Sequence, residues 1–232
     1  MTTERLFAGA ATTAQWLAQE IATRLSEAIA ARGKASLLVS GGRSPIALFR
    51  ALSKRELDWS KVWISLVDER WVDPASPDSN ERLLRDYLLC AEAAHANFVP
   101  LKNAAKTPRE GIAASAAALA RVPRPFDVIV LGMGEDGHTA SLFLDAQGVA
   151  TALNPKCRTV LTALDSPSAP YPRISLTMAA LLDARWICLQ IQGAAKRKVY
   201  ERAKTDAAPE TFPIAAVLKQ PRVPVLVCLI ES

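Results

Sequence analysis

Six short apolar runs recur along the chain, at residues 35–39, 62–67, 128–131, 159–164, 186–191 and 223–230, with helix-patterned stretches between them. Runs of this length suit strands covered on both faces better than they suit buried helices. Between them, residues 12–32 place Leu17, Ile21, Leu25 and Ile29 four apart, which marks an amphipathic helix, and Gly33 follows as its stop. Residues 108–120 are alanine-rich and helical, and Pro123 and Pro125 end them. Further helices are expected after Ser44, at 79–90, 177–182, 194–203 and about 214–218, with a turn near Pro209. Strands alternating with helices imply βαβ units. The expected fold is α/β, with a mostly parallel sheet of about six strands covered on both faces, in one domain spanning residues 1–232.

In open sheets of this kind, ligands bind at the carboxyl ends of the strands. The residues that follow each run therefore carry the functional information. Run 128–131 opens into Gly132-Met133-Gly134-Glu135-Asp136-Gly137-His138, and a helix-like pattern is expected after it, with Ala140, Leu142 and Phe143. His138 is one of two histidines, and imidazole titrates near neutrality. The other, His95, has no flanking acid or glycine and reads as an exposed or locally satisfied histidine at a helix end.

Run 35–39 leads into Ser40-Gly41-Gly42-Arg43-Ser44-Pro45. Ser44 is placed to cap the next helix, with Pro45 at its first position. Gly41 and Gly42 let the backbone approach a ligand. Ser40, Arg43 and Ser44 add donors, and no carboxylate lies in the loop. The segment is either a phosphate cradle or an ordinary β–turn–α connection. It lacks the GxxxxGK[ST] spacing of a nucleoside-triphosphate loop. Run 62–67 ends in Asp68-Glu69-Arg70-Trp71. Acids and an arginine at a strand end are either solvated or part of a site. Asp78 with Glu81 has capping-box spacing, and residues 165–172 form a Pro/Ser-rich loop that reads as a rim.

Several chemistries fit poorly. Gly132, Gly134 and Gly137 spell a literal GxGxxG after a strand, but Glu135 and Asp136 sit where a pyrophosphate would lie. The pattern also follows two earlier βα units. Of the acids that might bind a ribose about 20 residues on, Asp145 is too near and Asp165 too far. A serine hydrolase is poorly supported because no GxSxG occurs. A zinc hydrolase would need more than two distant histidines, unless carboxylates filled in. The four cysteines, Cys90, Cys157, Cys188 and Cys228, form no CxxC pair and read as reduced core residues.

The net charge of +5 suits an anionic small molecule, while the basic run at 196–198 is too short for nucleic acid. No apolar run approaches the roughly 20 residues that span a bilayer. The first residues lack a leader layout, so a cytoplasmic protein is expected. A histidine beside carboxylates, with anion sites elsewhere, fits general acid–base chemistry on a phosphorylated small molecule.

Six segments then occur in a telling order: SGGRSP at 40–45, DERWV at 68–72, DSNERLL at 78–84, GMGEDGHTASLF at 132–143, RISLT at 173–177 and GAAKRKV at 193–199. Together they closely resemble the 6-phosphogluconolactonase family. The resemblance implies a Rossmann-like three-layer sandwich, shared with glucosamine-6-phosphate deaminases. It also implies hydrolysis of 6-phospho-D-glucono-1,5-lactone in the oxidative pentose phosphate pathway, without metal or organic cofactor. His138 matches the general base, and Asp136 is expected to orient it or to bind a substrate hydroxyl. Ser40, Gly41, Gly42, Arg43, Ser44, Asp68, Arg70, Arg173 and Lys196 form the implied substrate- and phosphate-binding set. Gly132, Gly134 and Gly137 are the loop glycines expected to offer oxyanion donors.

Leu144 stands where the family commonly has Pro, and Ser44 where Thr is frequent. The rival is a deaminase/isomerase acting on glucosamine 6-phosphate. Its motif continues from Gly-His into Phe-Asn-Glu-Pro, whereas this chain has Thr139-Ala140-Ser141-Leu142-Phe143. A second rival is a sugar-phosphate sensor of similar fold with a DNA-binding head. The first strand is expected near residue 35, which leaves no room for such a head. The implied partner is a phosphosugar lactone alone, bound by a monomer or small homo-oligomer, with no nucleic acid and no membrane.

Overall fold

The computed structural model describes residues 2–205 and 211–231. The turn expected near Pro209 lies outside them. Seven strands make one parallel sheet: β1 (Thr2–Phe7), β2 (Ala35–Val39), β3 (Val62–Leu66), β5 (Asn97–Val99), β6 (Val128–Leu131), β9 (Ile187–Gln192) and β10 (Val225–Ile230). Their order is β1-β10-β9-β6-β2-β3-β5. A second sheet of three antiparallel strands joins β4 (Asp68–Arg70), β8 (Arg173–Leu176) and β7 (Leu161–Leu164) in the order β4-β8-β7.

The helices are α1 (Ala10–Arg32), α2 (Ile46–Leu52), α3 (Asn80–Tyr87), α4 (Pro108–Leu119), α5 (Val149–Leu153), α6 (Met178–Leu181), α7 (Ala194–Thr205) and α8 (Pro213–Lys219). α1 buries Leu17, Ile21 and Leu25 completely, as their spacing predicts, and Gly33 ends it in the left-handed conformation. Each such side chain contributes roughly 1.5–3 kcal/mol of burial. The central strands β2 and β6 are buried along their whole length. Asp127 fixes the start of β6 against β2: it accepts from Ser36 N–H at 2.9 Å and pairs with Arg32 and Arg185.

The parallel α/β class holds, with five corrections. The N-terminal strand β1 is absent from the sequence reading, which places the first strand near residue 35. Its residues 3–6 are exposed, so it has no apolar alternation to betray it. It is recruited by pairing with β10 and carries Glu4 and Arg5 on an open edge, as edge strands often do. Second, the run near 159–164 is not in the main sheet but in the small antiparallel one, with 68–70 and 173–176.

Third, Ser44 caps nothing: α2 begins at Ile46 with Pro45 at the N-cap position and no side-chain cap bond. Fourth, the cap of α3 is Ser79, whose hydroxyl accepts from Arg82 N–H, and not Asp78. Fifth, no helix follows His138 directly. Residues 139–148 are turns and irregular backbone, and Ala140 has φ 50°. The next helix starts at Val149.

Candidate active site

The carboxyl ends of β2, β6 and β9 and one face of the small sheet enclose a cleft of about 230 Å³. Ser40, Gly41, Gly42, Arg43, Ser44, Asp68, Arg70, Gly132, Gly134, His138, Arg173 and Lys196 all line it. Asp136 and Gly137 do not. Gly137 is buried, and its carbonyl accepts from Ile214 N–H at 3.0 Å. Asp136 contacts His138: its Oδ1 lies 2.6 Å from His138 Nδ1 and also accepts the His138 backbone N–H at 3.2 Å.

That contact sets the tautomer. A carboxylate is an acceptor only, so Nδ1 carries the proton and Nε2 keeps its lone pair. Burial raises the Asp136 carboxyl, but the hydrogen bonds and charge of His138 outweigh it, and its pKa lies below the ordinary aspartate value. The loop closes on itself, with Gly134 N–H on His138 O at 3.0 Å and Gly137 N–H on Gly134 O at 3.1 Å. A Cβ at Gly134 would stand 2.3 Å from the His138 ring and 2.4 Å from Asp136 Oδ1, so only glycine fits beneath the pair. The Phe143 ring lies 4.1 Å from the imidazole, centroid to centroid.

The small sheet supplies the opposite wall. In the β4–β8 ladder Asp68 faces Ser175 and Arg70 faces Arg173. Side chains alternate along a strand, so Asp68, Arg70, Arg173 and Ser175 share one face while Glu69 points away. Ser141 Oγ bonds Asp68, which ties the histidine loop to this wall. Arg173 is 7% exposed, and its Nη1 stands 3.9 Å from Asp68 Oδ2. Burial lowers its pKa, with the Asp68 charge opposing and Arg70 adding to the fall. The Nε atoms of both arginines are buried without a partner among the described residues. Two like charges directly opposed on a ladder are destabilising, and spare donors on both suit an anion between them.

Glu69 shows why acids stand at this strand end. Its carboxylate accepts from Arg70 N–H at 2.7 Å, Asn80 N–H at 2.8 Å, Glu81 N–H at 2.7 Å and Ser79 Oγ at 3.1 Å. It therefore fastens β4 to the first turn of α3. Burial pushes its pKa up, while the backbone donors pull the other way.

The third wall is the 40–45 turn. Backbone N–H groups of Gly41, Gly42, Arg43 and Ser44 make no hydrogen bond among the described residues. They belong to the turn itself, because α2 starts beyond it. Ser40 Oγ accepts from Gly132 N–H at 3.2 Å, which joins this turn to the histidine loop. A Cβ at Gly41 would meet Asn80 Oδ1 at 1.9 Å, and Asn80 is held in turn by Asp68 O at 2.9 Å.

Sequence reasoning missed Asn80, Gln190 and the clamp role of Glu69. Gln190 had one available signal, a polar residue in the apolar run ICLQIQ. Asn80 had none, since its place depends on α3 meeting the 40–45 turn. His95 is exposed and outside the cleft, as expected. All four cysteines are free, and Cys188 and Cys228 are buried on adjacent strands. Among the described residues no group of His, Cys, Asp and Glu is arranged to hold a metal ion, and no helix is long and apolar enough to cross a membrane.

A family model described as glucosamine-6-phosphate isomerases/6-phosphogluconolactonase matches residues 8–226. A 6-phosphogluconolactonase of Rhizobium meliloti (strain 1021) is 44% identical over 215 residues, covering 93% of this chain and 93% of its own. One of Pseudomonas aeruginosa is 42% identical over 217 residues, covering 94% and 91%. The crystal structure of a 6-phosphogluconolactonase from Shewanella baltica OS155 superposes with a TM-score of 0.97 at 43% identity, covering 100% of this chain and 98% of that one. A monomeric glucosamine-6-phosphate deaminase shares the fold alone, with a TM-score of 0.75 at 17% identity and 97% of each chain covered.

Proposed function

The chain belongs to the glucosamine-6-phosphate isomerase/6-phosphogluconolactonase family, and on that premise we propose that it hydrolyses 6-phospho-D-glucono-1,5-lactone to 6-phospho-D-gluconate, in the oxidative pentose phosphate pathway. The observation that carries the chemistry is the Asp136–His138 pair at one end of a cleft whose other walls carry arginines, a lysine and free backbone N–H groups.

Nε2 of His138 takes a proton from water as the water oxygen bonds to the lactone carbonyl carbon. The carbonyl oxygen becomes an oxyanion, to which the guanidinium groups of the small sheet are the available donors, because the expected N–H donors of Gly132, Gly134 and Gly137 are taken by Ser40 Oγ, His138 O and Gly134 O. On collapse, the bond from that carbon to the ring oxygen breaks. The ring oxygen leaves with its electron pair and takes the proton back from His138, which restores the neutral imidazole. Asp136 holds the ring in one tautomer and offsets the transient imidazolium charge. The steps are proton transfers, an addition at carbonyl carbon and the collapse of that adduct, none of which changes an oxidation state, so no redox cofactor takes part.

The phosphate sits against the 40–45 turn with Lys196 and Arg43, where unpaired N–H groups and cations meet. Arg70, Arg173 and Asp68 bind the sugar oxygens across the cleft. The protein works as one domain in the cytoplasm, as a monomer or small homo-oligomer, and takes neither nucleic acid nor membrane as a partner. The test is consumption of freshly made lactone by the purified protein, run beside a glucosamine-6-phosphate deaminase assay. Rates above spontaneous hydrolysis and no ammonia release are expected. A lactone rate equal to the spontaneous background would reject the reading.

A further inference from the structure

Gln190 borders the cleft and has no part in the steps above. It lies in β9 among Ile187, Cys188, Leu189 and Ile191, which are all at most 1% exposed. Gln190 itself is 5% exposed, yet its carboxamide makes no hydrogen bond among the described residues. Its amide atoms are not sealed off without a partner, as Nε of Arg70 and Nε of Arg173 are, so they open on the cleft. Since the residue lines the cleft, the partner it lacks within the chain is available there.

Its position says which part of a substrate it meets. Parallel register sets Leu131 of β6 beside Leu189 of β9, and Val39 of β2 beside Val130 of β6. Extending the register places Gln190, Gly132 and Gly41 in one row across the floor of the cleft. Residues in one row point to the same face. A Cβ built on Gly132 would meet nothing within 4 Å, so the space between Gln190 and the 40–45 turn is open. Lys196 enters the same space from α7, the helix that follows β9. The turn brings unpaired N–H groups, and the lysine brings a charge that fixes no direction.

We infer that Gln190 is a further substrate-binding residue, whose carboxamide N–H donates to a phosphoester oxygen from the floor of the cleft. This rests on the lactonase reading, because it takes a phosphorylated substrate held against the 40–45 turn. A neutral amide adds a directed donor from the floor of the cleft, on the side away from the Arg43 guanidinium and the backbone of the turn, and so favours a phosphate over an anion of other shape.

The test compares wild type with Gln190→Met, which keeps the length and removes the donor, and Gln190→Glu, which keeps the shape and repels an anion. For Gln190→Met, KM for the phosphorylated lactone is expected to rise about tenfold, the worth of one hydrogen bond to a charged group, with kcat within about twofold of wild type. The inhibition constant of inorganic phosphate should rise by a similar factor, and Gln190→Glu should weaken both further.

An unchanged KM in Gln190→Met overturns the inference. So does a raised KM with an unchanged phosphate inhibition constant, which would assign the amide to the sugar. If neither variant folds, the side-chain amide resonance of Gln190 in the wild type is followed as inorganic phosphate is added. A saturable shift supports the contact, and no shift overturns it. A wild type no faster than spontaneous hydrolysis would sink the lactonase reading, while the phosphate titration would still decide the Gln190 contact separately.

Discussion

At the scale of single residues, the site turns on which imidazole nitrogen is free. Asp136 takes Nδ1, so Nε2 is left for water. Replacing His138 with Ala should lower kcat about 10²–10⁴-fold, the usual contribution of general acid–base catalysis, while the circular dichroism spectrum stays that of wild type. Asp136→Asn should lower kcat less, because the imidazole remains and only its tautomer and charge partner are lost. The same pair has a pH signature. The folded-state pKa of Asp136 is depressed, so its stabilising effect is present above the unfolded carboxylate pKa and is lost as pH falls through the folded value. The difference in Tm between wild type and Asp136→Asn should therefore shrink as pH drops below about 3.9, the peptide value for aspartate. A difference that stays constant through that range would deny the pair its electrostatic role. Gly134→Ala tests positioning: the added carbon overlaps both members of the pair, so kcat should fall with little change in KM.

Among the elements, the short antiparallel sheet matters as much as the large parallel one. It turns Asp68, Arg70 and Arg173 toward the cleft and leaves Glu69 on the other face to grip α3. Glu69→Ala leaves several buried N–H donors unsatisfied and should lower the free energy of unfolding by roughly 2–4 kcal/mol, as single orphaned groups cost about 1–3 kcal/mol each. A urea titration measures it, and a loss below about 0.5 kcal/mol, the scale of an ordinary surface change, would remove Glu69 from this role. The rim has its own link: Tyr171 Oη donates to Asp78 Oδ2 at 3.0 Å, Asp78 O accepts from Arg70 Nη1 at 2.6 Å, and Pro170 O accepts from Arg173 Nη2 at 3.3 Å. Both arginines of the small sheet, Arg70 and Arg173, are thus anchored to the two rim segments that Tyr171 joins.

For the molecule as a whole, charge and sheet order decide the behaviour. The net charge is +5 and the cleft carries Arg43, Arg70, Arg173 and Lys196. A phosphorylated substrate should be drawn in electrostatically, so KM should rise with salt between about 0.01 and 0.15 M, over which the Debye length falls from about 30 to 8 Å. A KM independent of salt would place substrate binding elsewhere. The alternation of apolar runs and helical stripes determined the α/β class, α1, the buried central strands and the glycine turns at their ends, because these depend on periods of two and about four residues within one segment. The motif order determined the family. Tertiary structure alone decided that the segment Thr2–Phe7, exposed over residues 3–6, is a strand, that the run near 159–164 pairs outside the main sheet, that Ser79 and not Asp78 caps α3, and that Asn80 and Gln190 reach the cleft. Apart from the cap, those outcomes rest on contacts between residues distant in the chain; Ser141 and Asp68, 73 positions apart, make another contact of that kind. No local period records such a contact, since the partner that satisfies each polar group is chosen only when the sheets close.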